Sequence, residues 1–300
     1  MSKPLILVPV DGSKFGDAAV PVALSVARAL NGRVELISVC ESEPVAAGWL
    51  VTSKGLEEWL EGYLVTLGDK IREVSNVPVA SAVMTGSVAK VIEHHVSEAK
   101  PDLVVMSSHG RGALSRAWLG SVSDHVVRHV SVPVILVRPS EADEVALTNG
   151  LRFRRILIPL DGSSRAEVAL VWARRLGTAF GASYTLARVV PPAMPFASPY
   201  LPHAVEETQE TLVRGREEAE RYLEEVAANM RKDGLDVTTE VLVGVPPGSG
   251  ITRFARAEDF DLVAIATHGR GGIPRMVLGS VADKVVRGTH VPALVVRPPA

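Results

Sequence analysis

The stretch SSHGRGALSRAWLGSVSDHVVRHVSVPVILVRP at 107–139 returns as ATHGRGGIPRMVLGSVADKVVRGTHVPALVVRP at 266–298. Near the start, LILVPVDGS at 5–13 returns as ILIPLDGS at 156–163. The first pair is offset by 159 residues and the second by 150, so the second copy holds a few extra residues in its middle. Agreement over such lengths marks a duplication, and the period is far beyond the ~20–50 residues of a solenoid repeat. The chain therefore reads as two whole domains, 1–139 and 152–300. Between them SEADEVALTNGL at 140–151 is acidic and polar, lacks periodicity and ends in a turn-forming Asn-Gly pair, as a short linker would.

Within the first unit, Leu5 to Val10 is a continuous apolar run of strand length, the pattern of a strand buried on both faces. Asp11-Gly12-Ser13 makes a turn. Ala19, Val22, Ala23, Val26, Ala27 and Leu30 then recur at helical spacing, and Asn31-Gly32 ends that helix. Strands are expected at 34–39, 79–84, 103–106 and 132–137. Helices are expected through the middle section, around 88–96, and at 121–129 with Val122, Val126 and Val127 turned inward. The second unit repeats the order, with strands at 156–160, 184–189, 237–243, 262–265 and 291–296 and helices near 165–176, 205–231 and 249–257. Its middle section opens with a proline-rich loop, Pro191 to Pro202. Buried strands alternating with helices imply an α/β class, with a five-stranded parallel sheet in each unit and helices on both faces.

Composition narrows the function classes. A net charge of −2 on 300 residues argues against general nucleic-acid binding, which needs a basic surface. The single cysteine, Cys40, permits no intrachain disulfide and no zinc site built from cysteines, consistent with a cytoplasmic setting. The apolar start at Leu5 to Val10 breaks at Asp11, so it reads as a strand and not as a signal peptide. No run is apolar for the ~20 residues that a bilayer-spanning helix needs.

In an open parallel sheet, ligands bind beyond the carboxyl ends of the strands where the strand order reverses. Three features of each half fall at such ends. Asp11 and Asp161 come after strand one, Val39 and Val189 end strand two, and His109-Gly110-Arg111 and His268-Gly269-Arg270 come after strand four. Glycines there let backbone approach a ligand closely. Gly120-Ser121 and Gly279-Ser280 then open the next helix, whose unpaired N–H groups and dipole favour an anion. Asp11 can accept hydrogen bonds from ribose hydroxyls or a base amine, and it can equally serve only as a turn residue. His109 and His268 can hold the loop or touch phosphate, and Arg111 and Arg270 can neutralise phosphate or face solvent.

At these residues the chain resembles the universal stress protein family in its tandem two-domain form. The ATP-binding branch of that family carries Gly, two residues, Gly, nine residues, then Gly followed by Ser or Thr. Here the motif reads Ser107-Ser108-His109-Gly110, nine residues, Gly120-Ser121, and again Ala266-Thr267-His268-Gly269, nine residues, Gly279-Ser280. Only the first glycine departs, replaced by the small residues Ser107 and Ala266. The resemblance implies Rossmann-like domains of the adenine nucleotide alpha hydrolase type. It implies that Pro9, Asp11, Val39 and Met106 surround adenine and ribose, with Val122 behind the phosphate serine. Pro159, Asp161, Val189, Ile265 and Val281 are the second set. It implies ATP or another adenine nucleotide as ligand, with Mg carried mainly by the phosphates and no metal site of the protein's own. It further implies that the last strands of the two halves pair within one chain as a pseudo-dimer, with a homodimer of chains as the other arrangement.

The expected function is a regulatory, stress-response ATP-binding protein with up to two nucleotides per chain. The chain lacks a Walker loop with Gly-Lys-Ser/Thr and a His-x-Gly-His signature, so at most weak ATP hydrolysis is expected. The alternatives are a slow ATP hydrolase and a scaffold or sensor for another small ligand. Neither nucleic acid nor a membrane is expected as a partner.

Overall fold

The computed structural model describes residues 3–41, 53–108, 119–138, 147, 151–192, 203–267 and 278–298. The His-Gly-Arg-Gly loops, most of the linker and the bulk of the proline-rich loop lie outside these residues.

The first repeat runs β1 (Leu5–Pro9), α1 (Lys14–Asp17), α2 (Ala19–Ala29), β2 (Arg33–Cys40), α3 (Ser53–Val74), β3 (Val79–Thr85), α4 (Val88–Ala99), β4 (Leu103–Ser107), α5 (Ser121–His129) and β5 (Val134–Val137). Its strands lie in the order β3-β2-β1-β4-β5, and every neighbouring pair is parallel. The second repeat runs β6 (Arg155–Pro159), α6 (Ser164–Phe180), β7 (Ser183–Val190), α7 (His203–Lys232), β8 (Val237–Val243), α8 (Pro247–Ala257), β9 (Leu262–Ala266), α9 (Ser280–Gly288) and β10 (Ala293–Val296). Strands β9, β6, β7 and β8 lie side by side in that order, again all parallel.

Two compact units emerge. One holds the first repeat together with residues 292–298, and the other holds most of the second repeat. In the first unit β10 runs antiparallel to β5, with Ala293 opposite Leu136 and Val295 opposite Val134. Both strands are short and wholly buried, so the ladder covers an edge that would otherwise invite foreign strands.

Apolar patterning explains the cores. Ile6, Leu7 and Val8 of β1, Val104 and Val105 of β4, and Ile156 to Ile158 of β6 are fully enclosed, as expected of strands with helices on both faces. Helix α3 buries Leu60, Leu64, Leu67 and Ile71, and α7 buries Ala219, Leu223, Ala227 and Met230. The spacing of three or four residues gives one apolar stripe per helix. The start of each central strand is fixed by a carboxylate. Asp102 Oδ2 accepts from the Leu5 N–H at 3.0 Å, and Asp261 Oδ2 accepts from the Arg154 and Arg155 N–H groups at 2.8 and 2.9 Å.

One difference between the repeats has a covalent cause. The helix after strand one is continuous in the second repeat but broken at Ala18 in the first. Pro21 has no N–H to give the Asp17 carbonyl, and its ring crowds that carbonyl. The matching position of α6 is Val171, which keeps the bond and stands 69% exposed. The inward stripe of α5 also differs from the expected one. Ser123, Val126 and Val127 are buried while Val122 is half-buried, because the Ser123 hydroxyl turns inward to donate to the Ser107 carbonyl at 2.9 Å.

Candidate functional site

Strand β1 lies between β2 and β4, and the chain order reverses between β1 and β4. Ile6 faces Leu103 and Leu7 faces Val104. Continuing that register sets Pro9 level with Met106, and the same step sets Pro159 level with Ile265. The carboxyl ends of β1 and β4 are therefore neighbours.

Asp11 lies just beyond β1 on a turn whose next residue, Gly12, has φ +76°. Its Oδ1 accepts from the Ser13 N–H at 3.0 Å and the Ser13 hydroxyl at 2.6 Å. Ser13 is in turn the N-cap of α1, its oxygen taking the Gly16 N–H at 3.1 Å. Asp161 repeats this with Ser163 at 2.9 and 2.6 Å, and Ser163 caps α6 through the Ala166 N–H at 3.2 Å. The turn role open to Asp11 is thus realised in both halves. A carboxylate accepts about four hydrogen bonds, so the same group can also meet a ligand.

On the β4 side, Met106 and Ser107 are buried at the strand end, as are Ile265 and Ala266. Gly120 precedes α5 with extended backbone, and its N–H donates to the Ser108 carbonyl at 2.9 Å. Gly279 does the same toward the Thr267 carbonyl at 2.8 Å. These bonds shut the base of each loop and leave the glycine N–H committed. Among the described residues the helix starts carry no side-chain cap. Ser121 and Ser280 are exposed there, and Val122 and Val281 half-buried. Val39 and Val189, at the ends of β2 and β7, are half-buried as well. His109, Gly110, Arg111, His268, Gly269 and Arg270 lie outside the described residues.

Two tyrosines that the sequence motifs do not single out join this site. Tyr63 of α3 donates to Asp17 Oδ1. Burial, reinforced by Asp17, pushes the Tyr63 phenol well above its ordinary range, so it stays protonated as a donor. Burial also raises the Asp17 carboxyl, by more than the Tyr63 hydrogen bond lowers it. Tyr222 of α7 donates to Glu167 Oε1 at 2.8 Å and is raised in the same way, burial first and Glu167 second. A signal for the pair exists in the repeat: Tyr222 sits at the same 159-residue offset from Tyr63 that relates the C-terminal stretches.

The two halves differ on their second strands, β2 and β7. In the first, the Ser38 hydroxyl donates to the Val10 carbonyl at 2.8 Å. In the second, the matching residue is Arg188, 8% exposed, with its guanidinium 5.3 Å from the Tyr222 ring and 3.1 Å from Glu218 Oε1.

The family profile described as "Universal stress protein family" matches twice, over residues 5–138 and 152–297. The chain belongs to the universal stress protein family. A universal stress protein of Mycolicibacterium smegmatis is 29% identical over 310 residues, covering 98% of this chain and 97% of that one. One from Mycobacterium tuberculosis is 27% identical across 99% of both chains. A universal stress protein of Methanocaldococcus jannaschii is 33% identical over 148 residues, 49% of this chain and 84% of its own. The crystal structure of a universal stress protein from Archaeoglobus fulgidus superposes with a TM-score of 0.70 over 98% of each chain at 18% identity, which establishes the shared Rossmann-like tandem fold. Among the described residues no helix is long and apolar enough to cross a membrane.

Proposed function

We propose that each repeat binds one adenine nucleotide, ATP foremost, at the reversal point between its first and fourth strands, as a regulatory stress-response protein of the cytoplasm and not as an efficient enzyme. One observation carries this reading. An aspartate turn and an uncapped helix start open at adjacent strand ends, and both repeats build the pair from the same bonds. The aspartate suits ribose hydroxyls as an acceptor. The helix starts at Ser121 and Ser280 suit a phosphate as donors. Pro9, Val39 and Met106, with Pro159, Val189 and Ile265, supply apolar walls for a base. Mg would arrive on the phosphates. The β5–β10 ladder supports pairing of the halves within one chain.

Native mass spectrometry of the purified chain tests the reading. Two adenine nucleotides per chain are expected, released on heating and recovered on titration with ATP. No bound nucleotide and no ATP binding by calorimetry would refute it.

A further inference from the structure

The first unit ends on one side at β3, which among the described residues pairs only with β2. Its stretch Val79-Ala80-Ser81-Ala82-Val83-Met84-Thr85 holds no charge, proline or glycine. Successive residues of a strand turn their N–H and C=O groups to alternate sides. The Pro78 carbonyl accepts from the Val34 N–H and the Gly86 N–H donates to the Cys40 carbonyl, both at 2.9 Å, so the even-numbered residues face β2. The backbone groups of Val79, Ser81, Val83 and Thr85 therefore point outward, and among the described residues no hydrogen bond meets them. Ala80, Ser81 and Thr85 are exposed. An edge of this kind is a template for another strand unless something blunts it.

The matching edge of the second unit is blunted. Strand β8 carries Glu240, exposed, at its centre. There the Tyr184 N–H donates to the Asp236 carbonyl, so the odd-numbered residues point outward, and Arg231 Nε donates to the outward Val237 carbonyl at 2.9 Å. Arg72 stands at the 159-residue offset from Arg231, but its guanidinium bonds Asp69 at 2.6 Å and not the edge strand.

The fold already joins strands of one kind to each other. The last strands of the two repeats, β5 and β10, run antiparallel, and Ile135 lies opposite Leu294, its own counterpart in the duplication. Two β3 strands can meet in the same way. Turned antiparallel about Ala82, they set Val79 opposite Thr85 and Ser81 opposite Val83, each pair exchanging both outward backbone bonds. The intervening pairs are Ala80 with Met84 and Ala82 with Ala82, so no two large side chains and no like charges collide. The same turn applied to β8 would set Glu240 against Glu240.

We propose that the β3 edge is a self-association surface, and that its partner is β3 of a second copy of this chain, paired antiparallel about Ala82.

Sedimentation of the full chain tests this, with melting curves to establish that each variant is folded. A junction of two short strands is small, so the dimer should be weak, with a Kd of about 10–100 µM. Ser81→Pro removes an outward N–H and keeps the bonds to β2, at an edge position where proline is tolerated. It should raise the Kd at least about tenfold, because each copy loses a donor to the other. Ser81→Lys places a charge on the exposed edge and should have the same effect. Thr239→Pro makes the equivalent change on β8 and should leave the Kd within about twofold of wild type. A wild-type chain still monomeric at about 0.5 mM would overturn the proposal, leaving the edge to an extended peptide of another protein. So would a dimer that survives both Ser81 variants, or one that Thr239→Pro weakens equally.

Discussion

Gly16→Ala puts one methyl group where the Asp11 turn has no room for it. A Cβ at Gly16 would overlap Asp11 Oδ1 and lie 3.2 Å from the Asp11 nitrogen and 3.3 Å from its Cγ. Either the carboxylate swings away and releases both bonds to Ser13, or the start of α1 shifts and releases the Gly16 cap. Two part-buried bonds to a charged group are together worth about 3 kcal/mol. Water recovers part of that, and alanine returns about 1 kcal/mol of helix preference. A net destabilisation of about 1 kcal/mol is expected, which is roughly 2–4 °C in melting temperature for a domain of this size. Ligand binding should suffer more, because Asp11 is the group displaced. About a tenfold loss of ATP affinity at one of two sites is expected, equivalent to ~1.4 kcal/mol. In the second repeat Ala166 occupies the matching position and Asp161 keeps both bonds to Ser163, so the close approach is particular to the first repeat and Ala166 supplies the control. Ala166→Gly should cost only the helix preference, at most about 1 kcal/mol, and leave ATP binding unchanged. Melting curves and two-site calorimetry on both variants give the answer. Gly16→Ala protein with wild-type stability and two unaltered sites would refute the claim that this glycine exists to admit the Asp11 carboxylate.

Other features carry their own expected outcomes. Asp161→Ala should lower the nucleotide count in native mass spectra from two per chain to one, leaving the first site filled; loss of both would show that the sites are not separate. Val171→Pro places in α6 the break that α2 carries at Pro21, and since Val171 is mostly exposed the cost, read from urea unfolding, should be the backbone term of about 3 kcal/mol. Because burial raises the Asp17 carboxyl, the native state holds that proton more tightly than the unfolded chain. Its stabilising contribution is thus full below about pH 4 and is lost as pH rises through the raised value. The stability of wild type relative to Asp17→Asn should accordingly decline as pH rises above about 4, and a flat or rising difference in urea midpoints would contradict this.

The sequence revealed those parts of the molecule that depend on local patterning. Apolar runs marked the strands, the repeat set the organisation, and Asp-Gly-Ser marked the turn after strand one. Several features escaped the local patterns. Tyr63 and Tyr222 meet Asp17 and Glu167, on the helices after strand one, only once α3 and α7 fold back. Ser123 displaces Val122 from the inner face of α5 because the Ser107 carbonyl at the end of β4 needs a donor. The break at Ala18 stems from Pro21, whose consequence lies four residues upstream of the proline. The commitment of the Gly120 N–H to Ser108 was likewise invisible, since glycine offers no side chain to suggest a partner.

The antiparallel ladder between β5 and β10 sets a timetable for the nascent chain. Its partners, Leu136 and Ala293, are separated by roughly 160 residues, the most distant kind of pairing and the slowest to find. At ~5–20 residues per second, several seconds or more of translation pass between the two strands. The first repeat can fold around β1, β2 and β4 in that interval, but β5 keeps a bare apolar edge. A ribosome stalled within the second repeat would hold out an unmatched strand template, so the joined halves gain a guaranteed partner strand at the expense of a period of exposure in which chaperones would have most to do.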